Sequence, residues 1–187
     1  TRTSLIFRAS PPIFNKSNYS GERLRLSYLQ GTGDNIPLDN NSVDVVSFAG
    51  SLSYAKSEAL IDEIVRVCRN NAWVIAYDFE VLLDDHLESL GVTLHSRVST
   101  YNHAENFEGS NSMVEQQVNQ GTVTLEVSSE QLAHVLFSSS RRYTALSERY
   151  GPNKEFGAVV SALSKISESH IISVNTYFST YRVNVSK

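Results

Sequence analysis

Two apolar runs on either side of an amphipathic segment restrict this chain to a layered α/β fold. The first run holds Val43, Val45, Val46 and Phe48, interrupted only by Asp44 and Ser47. The second covers 73–79 and contains Trp73, Val74, Ile75, Ala76, Tyr77 and Phe79. Between them Leu60, Ile61, Ile64, Val65 and Cys68 recur at helical spacing, which predicts a helix over 53–69 with one apolar face. Apolar runs alternating with helices predict parallel strands covered on both faces. In open sheets of that kind a ligand sits beyond the carboxyl ends of the strands. Those ends are Gly31, Thr32, Gly33 and Asp34; Ala49, Gly50 and Ser51; and Tyr77 and Asp78.

The flanking sequence extends the pattern. Leu5 to Arg8 reads as a short strand stopped by Pro11 and Pro12, and 15–23 is polar and turn-rich. Asp62 and Arg66 stand four apart on the helix, and Asn70 and Asn71 are suited to its stop. A second helix is expected over 82–90, ended by Gly91. Residues 113–118 and 122–127 alternate like two half-exposed strands joined by a turn at 119–121. Ser128 and Gln131 form a capping box that opens a helix carrying Leu132, Val135, Leu136, Tyr143, Leu146 and Tyr150. After Gly151 and Pro152 comes a further helix with Phe156, Val159, Val160, Leu163 and Ile166. A last strand is expected over 171–185.

Several function classes are disfavoured at this stage. A net charge of -4 with no Lys/Arg cluster gives no footprint for nucleic acid. No apolar stretch approaches 18 residues, so no membrane span is expected. With 41% hydrophobic and 19% charged residues, the 187-residue chain reads as one ordinary globular domain. The single Cys68 rules out an internal disulfide and fits a reducing, cytoplasmic setting. It reads as a buried helix residue, not a nucleophile, since no neighbouring base lowers its pKa. Asp84, Asp85 and His86 are too close in sequence to converge on one ion from a helix, and the other histidines lack ligand spacing, so no metal site is expected. The polar group Tyr101, His103 and Glu105 is a metal or base candidate. A phosphate-cradling reading of Gly31 and Gly33 fails, because Ile36 stands where the third glycine belongs and Pro37 follows it.

The segment 27–79 resembles the second half of a class I S-adenosylmethionine-dependent methyltransferase. Residues 30–38, with Gly31, Gly33, Asp34, Ile36, Pro37 and Leu38, are similar to that family's motif of a Gly with small and acidic residues before a Leu-Pro-Phe-like triplet. Residues 41–46 are similar to the lead-in of the next strand, and 62–72 to a helix ending in E-x-x-R-V-L-K-P-G-G. The resemblance implies a Rossmann-like α/β sheet, mostly parallel with an antiparallel C-terminal strand. A helical insertion over 128–168 would cover the site. It implies S-adenosylmethionine as cofactor, contacted by Gly31, Thr32, Gly33, Asp34, Ala49, Gly50 and Ser51. Thr32 takes the place of an Asp that accepts from the adenine amino group. Asp34 offers an acidic contact two positions later.

Other parts of the family pattern have no counterpart. Residues 1–24 contain no Gly-x-Gly turn, and Arg8 stands where an acidic residue grips the ribose hydroxyls, which an Arg side chain cannot accept from. The chain thus reads as a methyltransferase domain without its first βα unit. Two functions follow: methyl transfer to a small-molecule acceptor, or a non-catalytic relic that binds a partner. A nicotinamide dehydrogenase is a distant third, because it needs the same glycine turn. In-line methyl transfer asks mainly for alignment, so no catalytic side chain declares itself. Strands 27–30, 43–48 and 73–77 should be parallel neighbours, with 5–8 or a second copy of the chain covering the open edge. These residues alone predict binding of the cofactor at millimolar strength or not at all, on the scale where 1 mM corresponds to about -4 kcal/mol.

Overall fold

The computed structural model describes residues 4–10, 25–94 and 100–184. The Pro11-Pro12 turn, the polar stretch 15–23 and His95 lie outside the described residues, as does the side chain of Arg8. Strands β1 (Ser4–Ser10) and β2 (Arg25–Gly31) form an antiparallel pair in which Ser4 faces Gly31 and Ser10 faces Arg25. The main sheet takes β3 (Val43–Ala49), β4 (Cys68–Leu82), β5 (Met113–Ser128) and β6 (Ser169–Val183) in the order β3-β4-β6-β5. Helices α1 (Leu52–Ala55) and α2 (Glu58–Val67) cross from β3 to β4. Helix α3 (Asp84–Ser89) follows β4, and α4 (Ser129–Phe137), α5 (Ser140–Tyr150) and α6 (Glu155–Ile166) separate β5 from β6. This is the mixed α/β arrangement expected, with its helical insertion before the last strand.

The chain divides into two compact units. The first comprises 1–76, 106–117 and 179–187, and the second 77–105 and 118–178. In the first unit, Leu60, Ile61, Ile64 and Val67 of α2 pack with Ala72, Val74 and Ala76 of β4, together with Ile36, Phe107, Tyr181 and Val183. The alternation of buried 72, 74 and 76 with more exposed neighbours shows the period-two pattern of a strand lying on a helix. Arg182 spans the strands in this unit: its guanidinium lies 3.4 Å from the centroid of the Trp73 ring and donates to the Asn71 carbonyl.

In the second unit Leu83, Leu87, Leu90 and Val92 pack with Leu132, Leu136, Leu146, Val159, Leu163 and Ile172. Cross-strand contacts fix the register. Thr122 donates to Asn175 and Thr176 to the Gly121 carbonyl, so β5 and β6 run antiparallel here. The capping box opens α4 as expected, with Ser128 accepting from the Gln131 N–H and Gln131 from the Ser128 N–H.

Several expectations need correction. Residues 27–30 do not lie beside 43–48 in a parallel sheet: β2 pairs with β1, and residues 5–8 pair there, not along β3. A local antiparallel partner satisfies the backbone of both short strands without a long crossover. The apolar run 43–48 is not covered on both faces, since Val45 is 52% exposed; separately, β3 ends the sheet order. The helix over 53–69 is broken at Lys56, and Ser57 restarts it by accepting from the Leu60 N–H. It stops at Val67, so the buried Cys68 opens β4. Asn71 has the left-handed conformation expected (φ 66°), but inside the strand. Residues 113–128 form one strand. Gly121 does not break it, since a Cβ there would meet only Thr176 Oγ1, at 3.8 Å. The helix of 132–150 is two helices, α4 and α5.

Candidate functional site

The loop between β2 and β3 is shaped by an ion pair. Glu63 accepts two hydrogen bonds from Arg66, at 2.7 and 2.8 Å, and one from the Ile36 N–H, at 2.7 Å. Arg66 also donates to the carbonyls of Ile36 and Leu38 and to Asn40 Oδ1. The Asn41 N–H returns to the Arg66 carbonyl at 3.0 Å. One turn of α2 therefore fastens 36–41, the apolar triplet of the loop and its lead into β3. The expected partner of Arg66 was Asp62, four residues away; the structure uses Glu63, three away, because that carboxylate also reaches the loop N–H. Hydrogen bonding to Arg66 holds the Glu63 carboxyl down at about 2, and the Ile36 N–H adds to the effect.

This clamp presents the turn 31–34. Asn35 donates to the Thr32 carbonyl at 3.2 Å, closing it. Packing requires the first glycine and leaves little room at the second. A Cβ on Gly31 would stand 2.6 Å from Pro37 Cδ, and one on Gly33 would stand 3.2 Å from Leu60 Cδ1. The glycines thus admit the folded-back loop and α2. Thr32 is half-buried and Asp34 exposed. At the other strand end, Ala49 and Ser51 are exposed, and Gly50 takes φ 60°, a left-handed value that lets β3 turn into α1. Ser51 begins α1 without capping it through its side chain. The seven residues lie in one compact unit.

The fit to S-adenosylmethionine rests on the donor set. Among the described residues, the side chains of Thr32, Asp34 and Ser51 make no hydrogen bond, so a hydroxyl, a carboxylate and a second hydroxyl remain for the amino group of an adenine and the hydroxyls of a ribose. The backbone at Gly31 and Gly33 does not form an empty cradle, since Pro37 and Leu60 occupy those approaches. Asp34 and Ser51 are therefore the stronger members of the expected set.

A second polar group lies in the other unit. Asp78 accepts from the Tyr101 hydroxyl at Oδ2 and from the Phe79 N–H at Oδ1, and His103 Nδ1 stands 3.1 Å from the same Oδ2. The His103 ring is stacked on Tyr177 at 5.9 Å and meets Tyr101 edge-on at 4.7 Å. The sequence marks Tyr77 and Asp78 as a strand end, whereas β4 runs on through them to Leu82, and it marks Tyr101, His103 and Glu105 as a polar loop. It does not show that 23 to 25 residues of separation close onto one carboxylate. Among the described residues no group of three or more His, Cys, Asp or Glu is arranged to hold a metal ion. Cys68 is fully buried, and burial pushes its thiol up to about 11, which fits the structural role read for it. No helix among the described residues is long and apolar enough to cross a membrane.

Residues 10–76 match the family model described as a methyltransferase domain, so the resemblance to S-adenosylmethionine-dependent methyltransferases holds over that segment. No curated protein matches the chain in sequence. Among solved structures, a protein assigned as a type II methyltransferase from Anaeromyxobacter dehalogenans is similar at 14% identity, with 81% of this chain and 68% of that chain covered and a TM-score of 0.51. One assigned as a methyltransferase from Bacillus halodurans shows 10% identity over 84% of this chain and 78% of that one, with a TM-score of 0.45. At 14% identity the likeness to the first of these is one of fold.

Proposed function

We propose that the chain serves S-adenosylmethionine-dependent methyl transfer to a small-molecule acceptor. The observation that carries this is the coincidence of the methyltransferase-domain match at 10–76 with the Glu63–Arg66 clamp and the loop it fastens. Asp34 and Ser51, with Thr32, would hold the nucleoside end of the cofactor. When bound, that cofactor supplies a methyl group made electrophilic by the sulfonium. The contribution of the protein is then to hold acceptor and methyl donor aligned, which is where most of the acceleration of an in-line transfer originates. Titration calorimetry with S-adenosylhomocysteine tests the proposal. Micromolar binding that weakens at least tenfold in Ser51→Leu supports it. Millimolar binding or none would favour the relic that binds a partner. Gly33→Leu is unsuitable for this purpose, because the new side chain would collide with Leu60 and unsettle α2 itself.

A further inference from the structure

From the outer edge of β5 we infer that this chain pairs with a second copy of itself, 120–128 of one running antiparallel to 120–128 of the other about a twofold axis at Thr124. β5 ends the sheet order, with β6 on one side and, among the described residues, no strand on the other. From Val118 onward β5 belongs to the second compact unit, as do Asn175 and Thr176 of β6, which it meets there, so the pairing needs that unit alone. An unpaired edge is a row of main-chain donors and acceptors that recruits another strand unless charge, proline, a bulge or shortness blunts it. β5 is 16 residues long, and 116–125 contains no Lys, Arg, Asp, Glu or Pro. The other end of the sheet is better guarded: β3 has 7 residues and carries Asp44, paired with Arg69. The sequence placed a second copy beside 27–30 and 43–48, whereas the long uncharged edge is the one at β5.

The side chains of β5 suit the strand itself as partner. Alternation puts Val123, Leu125 and Val127 on one face, and Val127 packs against the core of the second unit. Val123 and Leu125 are 48% and 50% exposed, so their apolar surface stays open at the edge. About an axis at Thr124, Val123 of each copy faces Leu125 of the other, and Thr122 faces Glu126. Facing residues of an antiparallel pair share one side of the sheet, a condition these positions meet. No carboxylate opposes another, since Glu126 meets a threonine and Glu115 lies outside the paired stretch. An axis at Thr122 would instead set Val123 against Gly121 and Leu125 against Asn119, and one at Glu126 would oppose the two carboxylates. Being symmetric, the pairing uses up both free edges and closes at two copies.

The test is the mass of the full chain in sedimentation and light scattering. One strand pairing is at the small end of interfaces, so the mass should double and fall back to that of one chain within roughly 1–300 μM. Val123→Lys combined with Leu125→Lys opposes like charges across the axis and should weaken association at least tenfold, with the circular dichroism of the fold unchanged. Val123→Lys combined with Leu125→Glu should recover it, because each lysine then meets a carboxylate of the other copy. Facing residues stand about 4.5–5.5 Å apart, within disulfide reach, so Thr124→Cys should give a covalent dimer on mild oxidation and Gln120→Cys should not. The native Cys68 is buried and stays out of this reaction. A single-chain mass at 300 μM, a dimer indifferent to the two lysines, a Lys and Glu variant no tighter than the double lysine, or Gln120→Cys linking as readily as Thr124→Cys would each overturn the inference.

Discussion

Removing the Glu63–Arg66 clamp is the perturbation whose size the structure sets most directly. Arg66→Met keeps the length of the side chain in α2 and deletes five donated hydrogen bonds: two to Glu63 and three to the loop at Ile36, Leu38 and Asn40. Holding a carboxyl from 4.5 down to about 2 corresponds to a ceiling of roughly 3 kcal/mol for the ionised form. The Arg66 side chain is 33% exposed and that of Glu63 17%, so water recovers part of that. The freed loop carbonyls also regain water, and their loss counts for little. A destabilisation of about 2 kcal/mol follows, a fall in melting temperature of about 4–8 °C for a chain of this size. The acid behaviour gives an independent reading. The folded-state pKa of Glu63 is depressed, so its contribution is full above 4.5 and is lost as the pH falls from there towards about 2. Wild type should lose stability across that window by about 2 kcal/mol more than Arg66→Met, as read from urea midpoints at successive pH values. A variant that melts within 1 °C of wild type, or parallel acid limbs for the two proteins, would refute the claim that this pair fastens the loop.

Other outcomes are open to simpler measurements. Gly31→Ala should unfold at a lower urea concentration than wild type, by about 1–3 kcal/mol, because its Cβ would overlap Pro37 Cδ. Gly157→Ala should do the reverse and gain about 0.5–1 kcal/mol, since the position lies within α6 with nothing within 4 Å of a new Cβ. Arg182→Gln should change the emission of Trp73, the only tryptophan, and cost about 1 kcal/mol through the lost stack. His170 is buried and accepts or donates at Ser129 3.0 Å away; burial, then His86, lowers its pKa. Its contribution to stability should be full above about 6.5 and decline as the pH drops below that, and His170→Gln should flatten this limb in thermal melts.

What the sequence revealed was what is decided locally. The capping box at Ser128 and Gln131 is a contact over three residues, and it stands as read. The apolar face of α2 is equally local, and Leu60, Ile61 and Ile64 are buried as the spacing requires. Seven proposed site positions all fall at strand ends or in the turns beyond them. What failed depends on partners far along the chain. Nothing in Val43 to Phe48 shows that β3 ends the sheet order, because a strand reads the same whether one or both neighbours exist. Arg66 chose Glu63 over Asp62 because of a loop N–H 27 residues away. Asn71 was suited to a left-handed turn and has one, yet the pairing of β4 carries on through it. The Asp78, Tyr101 and His103 group was missed as a unit because its members meet only after the chain has left the strand and returned.

The two glycines of the 31–34 turn have a consequence for how such domains decay or persist over generations. A side chain at Gly31 would make the protein fold less well, whatever the domain is used for. A lineage that gave up its ligand would therefore be expected to keep Gly31, while Asp34 and Ser51, whose exposed side chains make no hydrogen bond among the described residues, would be the first to drift. The sites that record past or present use are the solvent-facing ones between the glycines' neighbours, and a survey of relatives should weigh those two positions above the motif that first draws the eye.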